Sequence, residues 1–195
     1  MGRNGIVLQA LTTRQSTHPR LVTEPAPSEA DLDTIFRAAM AAPDHGALRP
    51  WRFLVIEGAG LSKLGSLFAE AHHQREPDAT EEALKSSEAK ALRAPMIIAV
   101  YAHLRDTPKV PHEEQVIACG CAMQLMLLAA EALGYGATIL TGLNMHSEAV
   151  HEGLGLASNE RLVGLIYIGT PQSEQRRQKP RPEPSEFVRR WPPVA

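Results

Sequence analysis

At 195 residues and 44% hydrophobic content, the chain can fill one core and is read as a single domain over 1–195, with 171–195 an extended Pro-rich tail. A formal net charge of −2 offers no cationic field for nucleic acid, and 5% aromatic content leaves few rings to stack on bases. The first residues lack a small-residue cleavage site, and the longest apolar run, Ala118 to Leu133, contains Gln124 and Glu131 and falls short of the about 20 residues of a membrane span, so a cytoplasmic protein is expected.

Ile6 to Thr13 reads as a helix, followed by a polar stretch broken at Pro19. Ser28, three residues before Asp31, marks a helix start, and Leu32, Ile35, Phe36, Ala39 and Met40 recur at helical spacing up to the stop at Pro43. Phe53 to Ile56 reads as a buried strand ended by Gly58. Helices are expected over Leu61 to Ala71 and Thr80 to Arg93, then a second strand over Met96 to Tyr101. Glu113 to Leu133 is the longest helix, apolar on nearly every side beyond Ala118, and Gly134 stands where a C-terminal stop belongs. A third strand over Ala137 to Leu140, a short helix over Ser147 to Glu152 and a fourth strand over Leu162 to Ile168 complete the order. Helices lead the chain and two follow the first strand, so the pattern is α+β, a sheet flanked by helices, and not doubly wound. The apolar surface of Ala118 to Leu133 exceeds what one thin domain covers, and the tail needs a surface to dock on; together these predict a homodimer.

Most of the chemistry-bearing residue types have an ordinary reading. Cys119 and Cys121, two apart on a helix, point in different directions and are expected to be buried free thiols. Gly58-Ala59-Gly60 follows a strand and opens a helix, but Lys63 stands where a dinucleotide loop has its third glycine, so a plain turn is expected. His146 and His151 are five apart, His72 and His73 are adjacent, and His112-Glu113-Glu114 lacks a second histidine four positions on; no metal site is expected. With no Gly-x-Ser-x-Gly elbow and no cysteine near a helix start, no nucleophile is assigned.

Two segments are more informative. Arg14-Gln15-Ser16 puts a cation and a hydroxyl just after a helix, which suits an anion or an ordinary surface equally well. Ala41 to Phe53 is a helix end, a loop and the beginning of a strand bracketed by Pro43 and Pro50, in which Trp51 serves either a site or simply the core beneath a rigid loop.

In combination, these motifs resemble the nitroreductase family. The resemblance rests on Arg14-Gln15-Ser16, the helix ending Ala42-Pro43, the loop closing Pro50-Trp51-Arg52-Phe53, the distal long helix and the glycine-led strand after it. Glu24-Pro25-Ala26-Pro27, Arg93-Ala94-Pro95, Ala118-Cys119-Gly120-Cys121-Ala122 and Gly169-Thr170-Pro171 extend it over Leu8 to Val188, and Asp44-His45 after Pro43 makes it most similar to the compact NAD(P)H nitroreductases. The resemblance implies a mixed or antiparallel central sheet flanked by helices, an intertwined homodimer with FMN at its interface, and NADPH or NADH as reductant. It implies that Arg14, Gln15 and Ser16 meet the phosphate and ribityl chain, that Ile139, Leu140 and Thr141 run along the ring, that Pro43 belongs to the cofactor site, and that His45 of the partner subunit approaches the flavin. His45 is then the side chain best placed to take part, although no catalytic residue is assigned. The family's compact members carry arginines where this chain has Gln15 and Ala41, and Lys179 and Arg181 in the tail are the expected source of the replacement charge. The implied reaction passes electrons by a ping-pong scheme to a nitroaromatic, quinone or similar small acceptor. A flavin-sequestering protein with little turnover and a module without flavin are the alternatives.

Overall fold

One long strand organises the sheet. In the computed structural model, which describes residues 3–173 and 180–191, strand β5 (Glu160–Pro171) takes partners on both of its edges. On one side it pairs with β3 (Met96–His103), from Met96 opposite Ile168 to His103 opposite Glu160, and β3 pairs in turn with the edge strand β2 (Trp51–Glu57). On the other side it holds β4 (Gly136–Leu140) and then the two-residue β1 (Val22–Thr23), which follow one another along the same edge. Every pairing among the described residues is antiparallel, so the sheet expected as mixed or antiparallel is the second of these.

Period-two alternation in the central strands sorts side chains onto two faces. Met96, Ile98, Val100 and Ala102 of β3 join a core with α2 (Glu29–Ala39) and α5 (His112–Ala132), whereas Ile97 and Ala99 face a core with α3 (Ala59–Arg75) and α6 (Glu148–Gly153). The architecture is therefore three layers, helix, sheet and helix, with α1 (Arg3–Thr13) beside α5 and with α4 (Glu81–Glu88) against α3. Trp51 is buried in the α2–α5 core, in accord with its structural reading. The Gly58 segment is a plain turn from β2 into α3, and a Cβ at Gly60 would lie 3.2 Å from Ile56.

Most expected elements are present, with two departures of physical interest. The helix expected over Thr80 to Arg93 is α4 followed by a separate 3₁₀ turn, Ala91–Arg93. Tertiary contacts break it there: Ser87 donates to the Phe68 carbonyl at 3.1 Å, and the Glu88 backbone lies against Gly65 of α3, where a Cβ would come within 2.9 Å. Strand β1 arises from residues with no strand signal because its two residues only extend the β5 ladder. Helix α5, apolar and long enough by composition to cross a membrane, buries one face through Ala118, Cys119, Ala122, Met123, Met126, Leu127 and Ala130 and leaves most of the rest half-buried or open, with Ile117 outside. Helix α1 beside it adds to the exposed apolar surface, since Ile6, Val7, Leu8 and Leu11 are all more than half exposed.

The capping residue Ser28 is where it was expected. Its hydroxyl accepts from Asp31 N and donates to the Asp31 carboxylate at 2.7 Å, and Tyr135, just beyond α5, donates to the same carboxylate at 2.8 Å. These donors hold the Asp31 carboxyl below its ordinary value, the Ser28 bond contributing most. A depressed carboxyl stabilises the fold above the unfolded-state carboxylate range and loses that contribution as pH falls through the folded value. Tyr135→Phe should thus be less stable than the parent at about pH 6, with the difference shrinking toward about pH 2, as read from urea unfolding midpoints.

Two glycines in β5 are forced by close approach. A Cβ at Gly164 would come 2.3 Å from the mobile end of Met123, whereas at Gly169 it would meet the Pro95 ring at 2.6 Å and the Thr23 carbonyl at 2.9 Å, neither of which yields easily. Gly169→Ala should cost about 1–3 kcal/mol, and more than Gly164→Ala, when both are compared by chemical denaturation.

Candidate functional site

The chain leaves α1 with Arg14 N bonded back to the Ala10 carbonyl and is then clipped to the sheet by Thr17 N, which donates to Ala137 of β4 at 3.0 Å. Between these two anchors the Arg14 guanidinium lies 3.4 Å from the Ser16 hydroxyl. Gln15 shares the segment, half-buried. The tail returns to this place, where Arg181 donates from its guanidinium to the Arg14 carbonyl. Arg14, Ser16 and Arg181 thus form one cluster beside the start of β4, while Lys179 lies outside the described residues.

Strand β4 ends with Leu140 opposite Leu165, and the chain leaves the ladder at Thr141 and Gly142. No acceptor for the N–H groups of these two residues is found among the described residues. A 3₁₀ turn, Leu143–His146, follows, closed by Met145 N to the Gly142 carbonyl. Ile139 is half-buried, and Leu140 and Thr141 are open to solvent. The region is a donor set: two guanidinium groups without an acidic partner among the described residues, a hydroxyl and free backbone N–H groups. Such a set fits an anionic group at one end and the acceptor-rich edge of a ring at the other.

The second segment is built differently. After α2 the chain turns through Pro43 and Asp44 into a 3₁₀ turn, His45–Ala47, with Gly46 at φ 74° and two non-glycine residues, Ala47 and Arg49, also in the left-handed region. Such conformations persist only where surrounding contacts fix them. Here the Asp44 carboxylate accepts from Arg49 N at 2.6 Å, and Arg52 donates to the Arg49 and Trp51 carbonyls at 2.8 Å each. His45 Nδ1 lies 2.8 Å from Glu114 Oε2 in the first turn of α5.

The two parts of the expected site are not together in one chain. His45 meets α5 at its first turn, and the Arg14 segment meets β4 just beyond its last. Residues 114 to 132 rise about 27 Å along the helix, so His45 and Arg14 of one chain cannot touch the same end of one small ligand. The residues that sequence reasoning missed are Glu114 and the bracing pair Asp44 and Arg52; their partners are set by loop geometry and, for Glu114, lie 69 residues away, so no local signal marks them.

Neither cysteine serves the site. Cys119 is fully buried among α2, α5 and the sheet, and burial pushes its thiol up to about 12, with Arg52 opposing slightly. Cys121, expected to be buried, is only half-buried, because the next face of α5 is less covered. Buried and held in its thiol form at pH 8, Cys119 should resist a thiol-specific alkylating reagent in the native protein and react only after unfolding, as mass spectrometry of the digested chain would detect.

This framework, helix layers on both sides of an antiparallel sheet, is the nitroreductase-like α+β fold. A Bacillus cereus structure described as a nitroreductase-like family protein matches it with a TM-score of 0.80 at 25% identity, covering 95% of this chain and 96% of that one. The chain belongs to the nitroreductase family, whose sequence profile matches residues 11–170. It is 35% identical over 181 residues to YdjA of Escherichia coli K12, which bears the name of an NAD(P)H nitroreductase, covering 93% of this chain and 97% of that protein. A Haemophilus influenzae protein named in the same way is 40% identical over 172 residues, with 88% and 91% covered. A Desulfovibrio desulfuricans nitroreductase structure in complex with FMN matches at 27% identity and a TM-score of 0.68, covering 94% and 96%.

Proposed function

We propose that this protein is an FMN-dependent NAD(P)H oxidoreductase that acts as a homodimer and reduces a nitroaromatic, quinone or similar small acceptor by a ping-pong scheme. The observation that carries this reading is the donor set at β4, Arg14, Ser16 and Arg181 at one end and the unpaired N–H groups of Thr141 and Gly142 at the other. Support comes also from the FMN found in the Desulfovibrio relative and from the NAD(P)H nitroreductase names of the closely similar proteins.

In this reading Arg14 offers its planar fork to the phosphate and Ser16 adds a hydroxyl donor, with the Gln15 amide turned to the ribityl chain. Arg181 braces the Arg14 carbonyl and raises the local positive potential, compensating in part for the absence of arginines at positions 15 and 41. Ile139 and Leu140 give the ring an apolar wall, and the N–H groups of Thr141 and Gly142 stabilise negative charge at its edge. Bound there, FMN supplies the hydride relay between the nicotinamide and the acceptor, which occupy the same face in turn. Pro43 and His45 of the partner subunit complete the site, a division that suits the placement of the two halves at opposite ends of α5. The apolar face of α1 gives the dimer a surface to bury. A cytoplasmic setting suits this chemistry, since it depends on a supply of reduced nicotinamide.

The direct test is the absorbance spectrum of the purified protein before and after anaerobic addition of NADH or NADPH. A flavin spectrum that bleaches within turnover time is expected; a flavin that stays oxidised with both would identify a sequestering protein, and a colourless protein without FMN affinity would end the flavin reading. Arg14→Ala should weaken FMN binding at least tenfold, the loss of about 1.5–3 kcal/mol that one charge-assisted contact carries, with an unchanged circular dichroism spectrum.

A further inference from the structure

The contact between His45 and Glu114 carries an inference that rests on the flavin-site reading of His45 given above. We propose that Glu114 is a positioning residue, which fixes the tautomer and orientation of the His45 ring so that Nε2 is the nitrogen presented to the acceptor at the flavin of the partner subunit.

A carboxylate can only accept, so at 2.8 Å from Oε2 the Nδ1 atom is the donor. The proton on Nδ1 leaves Nε2 as the outward nitrogen, an acceptor in the neutral ring and a donor when the ring is doubly protonated. Both partners stand on fixed supports. Gln115, next to Glu114 and 2% exposed, accepts from Arg105 N and donates to the Arg105 and Val110 carbonyls, which locks the first turn of α5 to the loop before it. Val110 of that loop lies beside Gly46, where a Cβ would meet its Cγ2 at 3.5 Å. On the histidine side, the Asp44–Arg49 bond and the left-handed residues Ala47 and Arg49 preset the turn. Of the charged groups on the same segments, Arg52 bonds loop carbonyls and His112 lies 3.0 Å from Asp106.

Stability does not account for the pair. The two side chains are 60% and 46% exposed, and an ion pair so open to water contributes little to folding. Orientation is the property that such a contact supplies when a histidine must present one particular nitrogen, as carboxylate partners do for metal-bound histidines.

The experiment uses the full chain loaded with FMN and labelled with ¹⁵N in its eight histidines, with His45→Ala identifying the His45 signals. At about pH 9, where an ordinary imidazole is neutral, the His45 ring should show the Nδ1–H tautomer in the parent, and Glu114→Ala should convert it to a mixture rich in Nε2–H. Glu114→Ala should lower kcat/KM for a nitroaromatic acceptor about tenfold while FMN affinity stays unchanged, and Glu114→Gln, whose amide oxygen still accepts, should recover part of the loss. The Glu114→Ala effect should vanish in the His45→Ala background, since a positioning residue acts only through the group it positions. An unchanged tautomer in Glu114→Ala, or a loss of rate that persists without His45, would overturn the proposal and leave the flavin site standing. If His45→Ala itself leaves kcat/KM unaltered, the role of His45 falls and that of Glu114 with it, whereas the Arg14→Ala titration reports separately on the flavin.

Discussion

Strand β5 is held by β3 on one edge over Glu160 to Ile168 and by β4 and β1 in succession on the other over Leu165 to Pro171, and the rest of the molecule depends on the double pairing where the two overlap. A strand hydrogen-bonded on both edges satisfies its backbone without solvent, which allows both of its faces to be buried under helices. Gly164 and Gly169 bring neighbours close enough to seal those faces, Met123 of α5 over one and Pro95 at the edge of the other. Because β4 is held in register with β5, its last residues emerge at a fixed point. Thr17 is then bonded to Ala137, so the Arg14 segment is placed relative to the same strand.

Helix α5 imposes the second constraint. It spans the α2-side layer, packs through Ala118, Ala122, Met123 and Met126, and ends at the turn that leads into β4. Its length separates the two segments that resemble family site motifs. Its first turn carries Glu114 and Gln115, which hold the His45 turn and the 105–110 loop, and its far end delivers the chain to the Arg14 cluster. In the proposed dimer, one rigid element would thus make each copy supply half of two sites rather than the whole of one. This is the geometric reason that the proposed chemistry and the proposed dimer belong together.

Much of this was legible in the sequence, for a common physical reason. Helix α2 announced itself through the Ser28 cap and the spacing of Leu32, Ile35 and Ala39, α5 through its length and Gly134, and the central strands through unbroken apolar runs; each signal lies within one element and reflects its own periodicity. The candidacy of Arg14 and Ser16 was likewise local, whereas the sequence left Trp51 open between site and core until the structure buried it against α2 and α5. Family resemblance then supplied the order in which the motifs should be used. The break after α4 was not local, because Ser87 and Glu88 end that helix by contacts with α3.

By itself, the sequence determined most of the helices and strands and their α+β class, and it pointed to residues able to donate to an anion. The tertiary structure alone decided what those residues meet. Arg181 reaches Arg14 across 167 positions, Tyr135 reaches Asp31 across 104, and Glu114 reaches His45 across 69; no periodicity encodes such pairs, since they follow from how β5 aligns its neighbours and how far α5 extends. The exposed apolar face was also decided there. The sheet and α2 cover one face of α5, whereas the shorter α1, beside it, keeps Ile6, Val7, Leu8 and Leu11 open for want of a covering element within the described chain.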